Sequence, residues 1–247
     1  MTTSHTRKAR ELAEREEQLL DIAQQVVASE GFAGLTMDKI ANRSDYSKGT
    51  VYNHFGSKED LLCALSCRSQ NRILDLFERA RSYPGSSRER MMAIGFAYQL
   101  FARLEPDLFL TVLTAKTPAV MEKALPDRMQ RVAELDARLV ANCDALVQEA
   151  LAAGDLQPRP GVNVAAVTFS AWATAFGTIA LQEIASFTLG VQRLDQDMAL
   201  FFNGSVVLDG LGWQPLSSEF DYRTSWQAFG EQLFADELAL IAEPRCA

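Results

Sequence analysis

Within eight residues, Lys48 to Phe55, this sequence places two kinds of side chain at helical spacing. Val51 and Phe55 are apolar and four apart, so on a helix they share one face and pack inward. Lys48, Thr50, Asn53 and His54 are polar, short or basic, and on the same helix they point elsewhere. A helix divided in this way can lie in the major groove of DNA with its N-terminal part against base edges.

Such a helix must be held, and the flanking residues supply the means. Thr36 is placed to cap a helix whose face is Met37, Ile40 and Ala41. That run stops at Arg43-Ser44-Asp45-Tyr46. Ser47 is placed to cap the helix from Lys48 to Phe55. Gly56 stands where a helix often ends in a left-handed residue. Ser57, with Asp60 three residues on and Leu61-Leu62 following, reads as a further helix start. Two helices joined by a turn of about three or four residues is the helix-turn-helix spacing. An ordinary αα-hairpin carries the same caps, so spacing alone leaves both readings open.

The stretch Thr36…Ala41…Ser47-Lys-Gly-Thr-Val-Tyr-Asn-His-Phe-Gly-Ser-Lys-Glu-Asp-Leu-Leu62 closely resembles the DNA-binding signature of the TetR family of bacterial transcriptional regulators. The resemblance spans residues 8 to 62, and beyond them extends only through an all-helical pattern. It implies that Lys48, Gly49, Thr50 and Asn53 face base edges. Lysine can donate to guanine O6 and N7, and a threonine methyl can touch that of thymine. It implies phosphate contacts, which position without specifying, for Thr36, Tyr52, His54 and Lys58. His54 is equally readable as a structural histidine. One departure concerns the turn. The family usually carries Ala-Gly-Val, whereas this chain has Ser44-Asp45-Tyr46. Asp tolerates a left-handed backbone less well than glycine, which predicts a strained or reshaped turn.

Composition bounds the rest. The chain has 247 residues, 48 % of them hydrophobic and 23 % charged, with a net charge of −8. That suits an ordinary globular protein with a substantial core. A net negative charge does not exclude DNA, because its distribution is uneven. Residues 1–10 carry Arg7, Lys8 and Arg10 and no acid. Residues 36–58 carry four cations against two acids, a net +2. At a Debye length of roughly 8 Å, distant acids are screened from a phosphate in the groove. The N-terminus lacks the apolar core of a secretory signal. No apolar run of about eighteen residues is free of polar groups. A cytoplasmic protein without a membrane span is expected.

Enzyme chemistry finds little support. The two histidines, His5 and His54, sit beside no carboxylate or nucleophile at useful spacing, and no G-x-S-x-G, P-loop or H-E-x-x-H motif occurs. Cys63 and Cys67 lie one helical turn apart, but three or four ligands are usual for a metal, so buried thiols are the simpler reading. Cys143 and Cys246 are isolated. No cofactor and no metal are expected.

The whole chain reads as all-α. A first helix is predicted from Lys8 to Ser29, preceded by a mobile basic tail over residues 1–7 and ended by Gly31. A helix over 58–81 joins a head (8–60) to a larger body (61–247). The body is predicted to hold helices at 88–103 and 107–115, then one reaching 153. Further helices follow at 162–187, 194–211 and 224–242. The helices at 162–187 and 194–211 are apolar over most of their girth and must be buried on several sides. They are candidates for an isologous interface between two copies, or for the core of one. Two heads on one operator multiply affinity, at a spacing of about 34–36 Å. A scaffold without DNA binding would also explain the apolar helices, but not the motif at 47–58.

The resemblance further implies a small-molecule pocket in the body. Its expected wall is Phe101, Phe109, Phe169, Trp172 and Phe176, with Thr174 or Thr178 as a polar contact. An effector would favour a body shape whose heads no longer fit both grooves, to the extent that its affinity differs between the two shapes. The expected function is a ligand-responsive regulator, a repressor or an activator of the same family. It would bind a palindromic double-stranded operator as a homodimer and be released by a small, largely apolar effector.

Overall fold

The computed structural model describes residues 2–157, 159–160 and 162–242, with side chains from Arg7 onward. Cys246 and His5 therefore lie outside the described side chains. Among the described residues there are helices and no strand, only an isolated bridge between Arg159 and Val162.

The chain divides into two compact units. The first combines residues 1–70 with 107–135, and the second combines 71–106 with 136–247. This division is not the head and body read at residue 60, because a later segment folds with the head. Two helices, Lys58–Arg81 and Pro126–Ala153, have residues in both units.

In the first unit, α1 spans Thr2–Gly34, so helix replaces the expected mobile tail over the described part of residues 1–7. Exposed ion pairs one turn apart, Arg7 with Glu11 and Arg10 with Glu14, lace its start. Gly31 interrupts the helix with φ 67°, a backbone that glycine adopts without the Cβ penalty. Leu19, Ala23 and Val26 are fully buried on the inner stripe. Then come α2 (Met37–Arg43), α3 (Lys48–His54) and α4 (Lys58–Arg81). Ile40, Val51, Phe55 and Leu61 are all 0 % exposed and form the backing of the helix-turn-helix. Each contributes on the order of 2 kcal/mol by leaving water. Residues 107–135 add the single turns α6 (Pro106–Phe109), α7 (Thr111–Thr114) and α8 (Pro118–Met121), then the start of α9 (Pro126–Ala153). The helix expected at 107–115 is broken at Leu110.

The second unit is built around α5 (Ser87–Leu104), opened by a full capping box between Ser86 and Glu89. Met91, Ile94, Ala97 and Phe101 are buried along it. Four helices pack on it: α10 (Val164–Ile184), α12 (Ala199–Leu211), α13 (Tyr222–Leu233) and α14 (Ala235–Ala242). The single turn α11 (Leu189–Gln192) lies between α10 and α12. The terminal helix expected over 224–242 is two helices, because Phe234 leaves helical geometry and buries its ring parallel to Phe96. Gly230 lets α13 and α14 approach, since a Cβ there would stand 2.7 Å from Leu238.

Candidate DNA-binding surface and its paired cations

The two caps read from the sequence are present. Thr36 Oγ1 accepts from the Lys39 N–H at 3.3 Å, and Ser47 Oγ accepts from the Thr50 N–H at 3.2 Å. Each satisfies a donor that a helix start otherwise leaves unpaired. Ser57 Oγ likewise accepts from Asp60 N–H at 3.0 Å. Gly56, however, is not left-handed. Its N–H donates to the Asp60 carboxylate at 3.2 Å, so the chain leaves α3 by a side-chain bond instead of a glycine cap.

The turn is also unstrained. No described residue other than glycine has a positive φ. Ser44 ends α2 in an extended conformation, and its hydroxyl bonds the Ala41 carbonyl and accepts from Tyr46 N–H. This local serine turn replaces the left-handed residue that glycine would provide. The Tyr46 hydroxyl reaches Gln18 on α1 while Arg15 lies 5.3 Å over its ring, so the variant residue anchors the turn.

Of the four residues expected at base edges, Lys48, Gly49 and Asn53 are exposed on α3 and Thr50 is half-buried. They share the outer face, opposite Val51 and Phe55. Among the residues expected at phosphates, Thr36 and Tyr52 are exposed and flank that face. Lys58 is half-buried: its ammonium donates to the Phe32 carbonyl at 3.0 Å and sits 4.2 Å over the Phe32 ring. His54 leaves the set. Its side chain is 3 % exposed and turned toward Glu16, with Nδ1 3.9 Å from the carboxylate. Burial holds its imidazole below the usual value, which Glu16 only partly offsets. Being at the end of α3, it follows the inward stripe of Val51, one turn earlier.

Acidic partners of these cations were not legible beforehand. Lys48 pairs with Asp38 of α2 at 2.6 Å, with both side chains about 60 % exposed. Lys39 and Arg43 both bond Glu30 at the end of α1. Glu30 is nine and thirteen residues away from them, across the Gly31 break, and no local spacing rule connects them. The positive surface is thus neutralised at close range. Exposed pairs of this kind are weak and exchange readily for a phosphate.

The residues expected to line a ligand pocket fall in both units. Phe109 is buried in the first unit, and the other six belong to the second. Phe101 is fully buried in the core along α5. Phe169 and Trp172 stand outward, 61 % and 42 % exposed, with rings 6.0 Å apart, and Phe176 continues the row. The Thr178 hydroxyl donates to the Thr174 carbonyl and accepts from Asn203, so it serves the α10–α12 contact. An open groove of about 570 Å³ in the second unit is lined by Phe201, Phe202, Asp209, Ser217, Tyr222 and their neighbours. These residues come from α12, the start of α13 and the segment between them, which no helical period marks.

Exposed apolar side chains run from the end of α10 through the segment and single turn that follow it to the free side of α12. Ile184, Phe187, Leu189, Phe202 and Val206 are all more than half exposed. By length and composition α10 could cross a membrane, and a third of that window is buried. Cys63 and Cys67 are buried, and burial pushes both thiols up to about 11. That removes the reactive thiolate and agrees with a packing role.

Residues 19–65, the end of α1 through the first turns of α4, match the model for bacterial regulatory proteins of the tetR family. The chain is 21 % identical over 178 residues to the fatty acid metabolism regulator protein of Bacillus subtilis (strain 168), covering 72 % of this chain and 86 % of that protein. It is 34 % identical over 80 residues to the HTH-type transcriptional activator FasR of Mycolicibacterium smegmatis (strain ATCC 700084 / mc(2)155), covering 32 % and 36 %. The fold is shared with the transcriptional regulator FadR from Bacillus subtilis, solved in complex with stearoyl-CoA. The TM-score is 0.60 at 18 % identity, covering 79 % of this chain and 98 % of that one. The matched stretch carries both caps and the exposed face of α3, so residues 19–65 are similar to the DNA-binding domain of the tetR family of bacterial regulatory proteins.

Proposed function

We propose that this protein is a ligand-responsive transcriptional repressor that binds a palindromic operator as a homodimer and is released by a small, largely apolar effector. The observation that carries the proposal is the outer face of α3. A seven-residue helix, capped by Ser47 and backed by fully buried Val51 and Phe55, holds Lys48, Gly49, Thr50 and Asn53 outward. Lys48 and Asn53 read base edges, while Thr36, Tyr52 and Lys58 fix the register on phosphates.

Pairing of two copies through the exposed apolar sides of α10 and α12 supplies the second head. An apolar surface of this extent seeks a partner, and an isologous contact covers it on both copies. The effector is read from chemistry and kinship. The relative FadR was solved with stearoyl-CoA, so a long-chain acyl compound is the first ligand to test. α4, which has residues in both units, is the lever by which ligand shifts the heads. The two relatives described above are named regulators, which favours a non-enzymatic role, carried out in the cytoplasm where the operator is. The name of the 34 % identical relative favours activation as a second reading.

Selection of bound duplexes from a random pool tests the proposal. A recovered palindrome with half-sites about one helical turn apart supports it. Release of that duplex by a long-chain acyl-CoA, but not by coenzyme A alone, supports the effector class. Recovery of no common sequence refutes operator recognition.

A further inference from the structure

A polar cluster in the first unit lies beneath α3, on the side away from Lys48 and Asn53. Asp60 is fully buried in the first turn of α4. Its carboxylate accepts from the Gly56 N–H at 3.2 Å and from the Leu125 N–H at 3.0 Å. One bond holds the exit of α3, and the other holds the residue just before α9. Ser57 adds a bond to the Lys123 carbonyl at 3.0 Å. Arg128, in the first turn of α9, donates to Glu16 of α1 at 2.8 Å. Its guanidinium lies 5.7 Å over the Phe55 ring, with Nε 3.9 Å from Asp60. The other oxygen of Glu16 faces His54, the last residue of α3.

The end of α3 is therefore enclosed by charged groups from α1, α4 and α9. Arg128 is the cation between two carboxylates there, and its side chain is only 19 % exposed. Removing one member of a largely buried pair leaves the other uncompensated, so the group holds together or rearranges as a whole. These bonds tie residues 123–128 to the rest of the first unit.

We infer that Arg128 is a positioning residue of the DNA-binding surface, which fixes the pose of α3 from beneath by bridging Glu16 and Asp60 under Phe55. The inference rests on the DNA-binding reading of α3.

The charges that act on His54 provide an independent readout. Glu16 raises its pKa, while Arg15 and Arg128 lower it. Loss of Arg128 must move the His54 titration up, and loss of Glu16 must move it down.

The test uses the full chain and a duplex selected with the wild type. In a His5→Gln background, His54 is the single imidazole and its titration is followed by NMR. Arg128→Gln is expected to weaken binding about ten-fold or more. The slope of log affinity against log salt should not change, and the His54 midpoint should rise. Arg128→Lys should recover part of the affinity. Glu16→Gln should also weaken binding, with the midpoint lowered. If Arg128→Gln fails to fold, Glu16→Gln breaks the same bridge from α1 and decides alone. Affinity within two-fold of wild type overturns the inference. So does an unmoved His54 midpoint, or a salt slope shallower by about 0.9, the mark of a direct phosphate contact. A wild type that binds no duplex overturns the DNA-binding reading as well. A wild type that binds, with variants that bind equally, overturns this inference alone.

Discussion

Ser47 is the residue on which the recognition helix depends most locally, and its replacement separates structure from charge. α3 has seven residues, too few to be helical on its own, so it relies on its cap and its backing. Ser47→Ala removes the acceptor for the Thr50 N–H and the 2.9 Å hydroxyl contact with Thr50. Loss of such a cap costs about 1 kcal/mol. In the proposed homodimer two heads each have to restore the first turn, so binding should weaken by about 2 kcal/mol, roughly thirty-fold. Ser47→Asp keeps the cap and adds a negative charge facing the duplex. Urea unfolding and fluorescence anisotropy with the selected operator measure both effects. The expected pattern is lower stability and weaker binding for Ser47→Ala. For Ser47→Asp, stability is retained and binding is weaker, with the loss growing at low salt. Wild-type binding by Ser47→Ala would refute the reasoning, because the cap would then hold nothing that DNA requires.

Lys48→Ala should change preference at one base pair, whereas Lys58→Ala should weaken all operator variants alike; equal losses for both at every variant would refute the division of roles. A charge on the exposed apolar face, Phe202→Asp, should convert a dimer to a monomer in sedimentation and leave the head folded by hydrogen exchange; an unchanged mass would place the interface elsewhere. Arg79 bonds Glu237 and holds its carboxyl below the ordinary 4.5. This contribution is present above pH 4.5 and is lost as pH falls through the lowered value, so Glu237→Gln should flatten the acid limb of the stability curve; an identical limb would show the pair to be inert.

The head was legible because its signals are local. Caps three residues from their partners, the four-residue step from Val51 to Phe55 and the glycine at 31 are all read within one or two turns. What remained hidden is set by residues far apart in the chain. Glu30 against Lys39 and Arg43, and Glu16 against Arg128 at a separation of 112, follow no period. His54 illustrates the difference. Its type suits a phosphate contact, but the inward stripe of a short helix and the Glu16–Arg128 pair decide where it points. The expected ligand wall shows the same dependence on distant packing. Aromatic spacing on α10 identifies a face, but not that Phe169 and Trp172 on it stand outward in a single copy. The break at Phe234 was invisible because both flanking segments keep helical spacing, and only the packing against Phe96 divides them.

The most direct test of the account is amide hydrogen exchange of the whole chain with and without its selected duplex. Binding through the capped helix-turn-helix predicts slower exchange concentrated between Met37 and Lys58, strongest in the Lys48–Asn53 amides. Slowing confined to the second unit, or none in α3 while the duplex is bound, would contradict it.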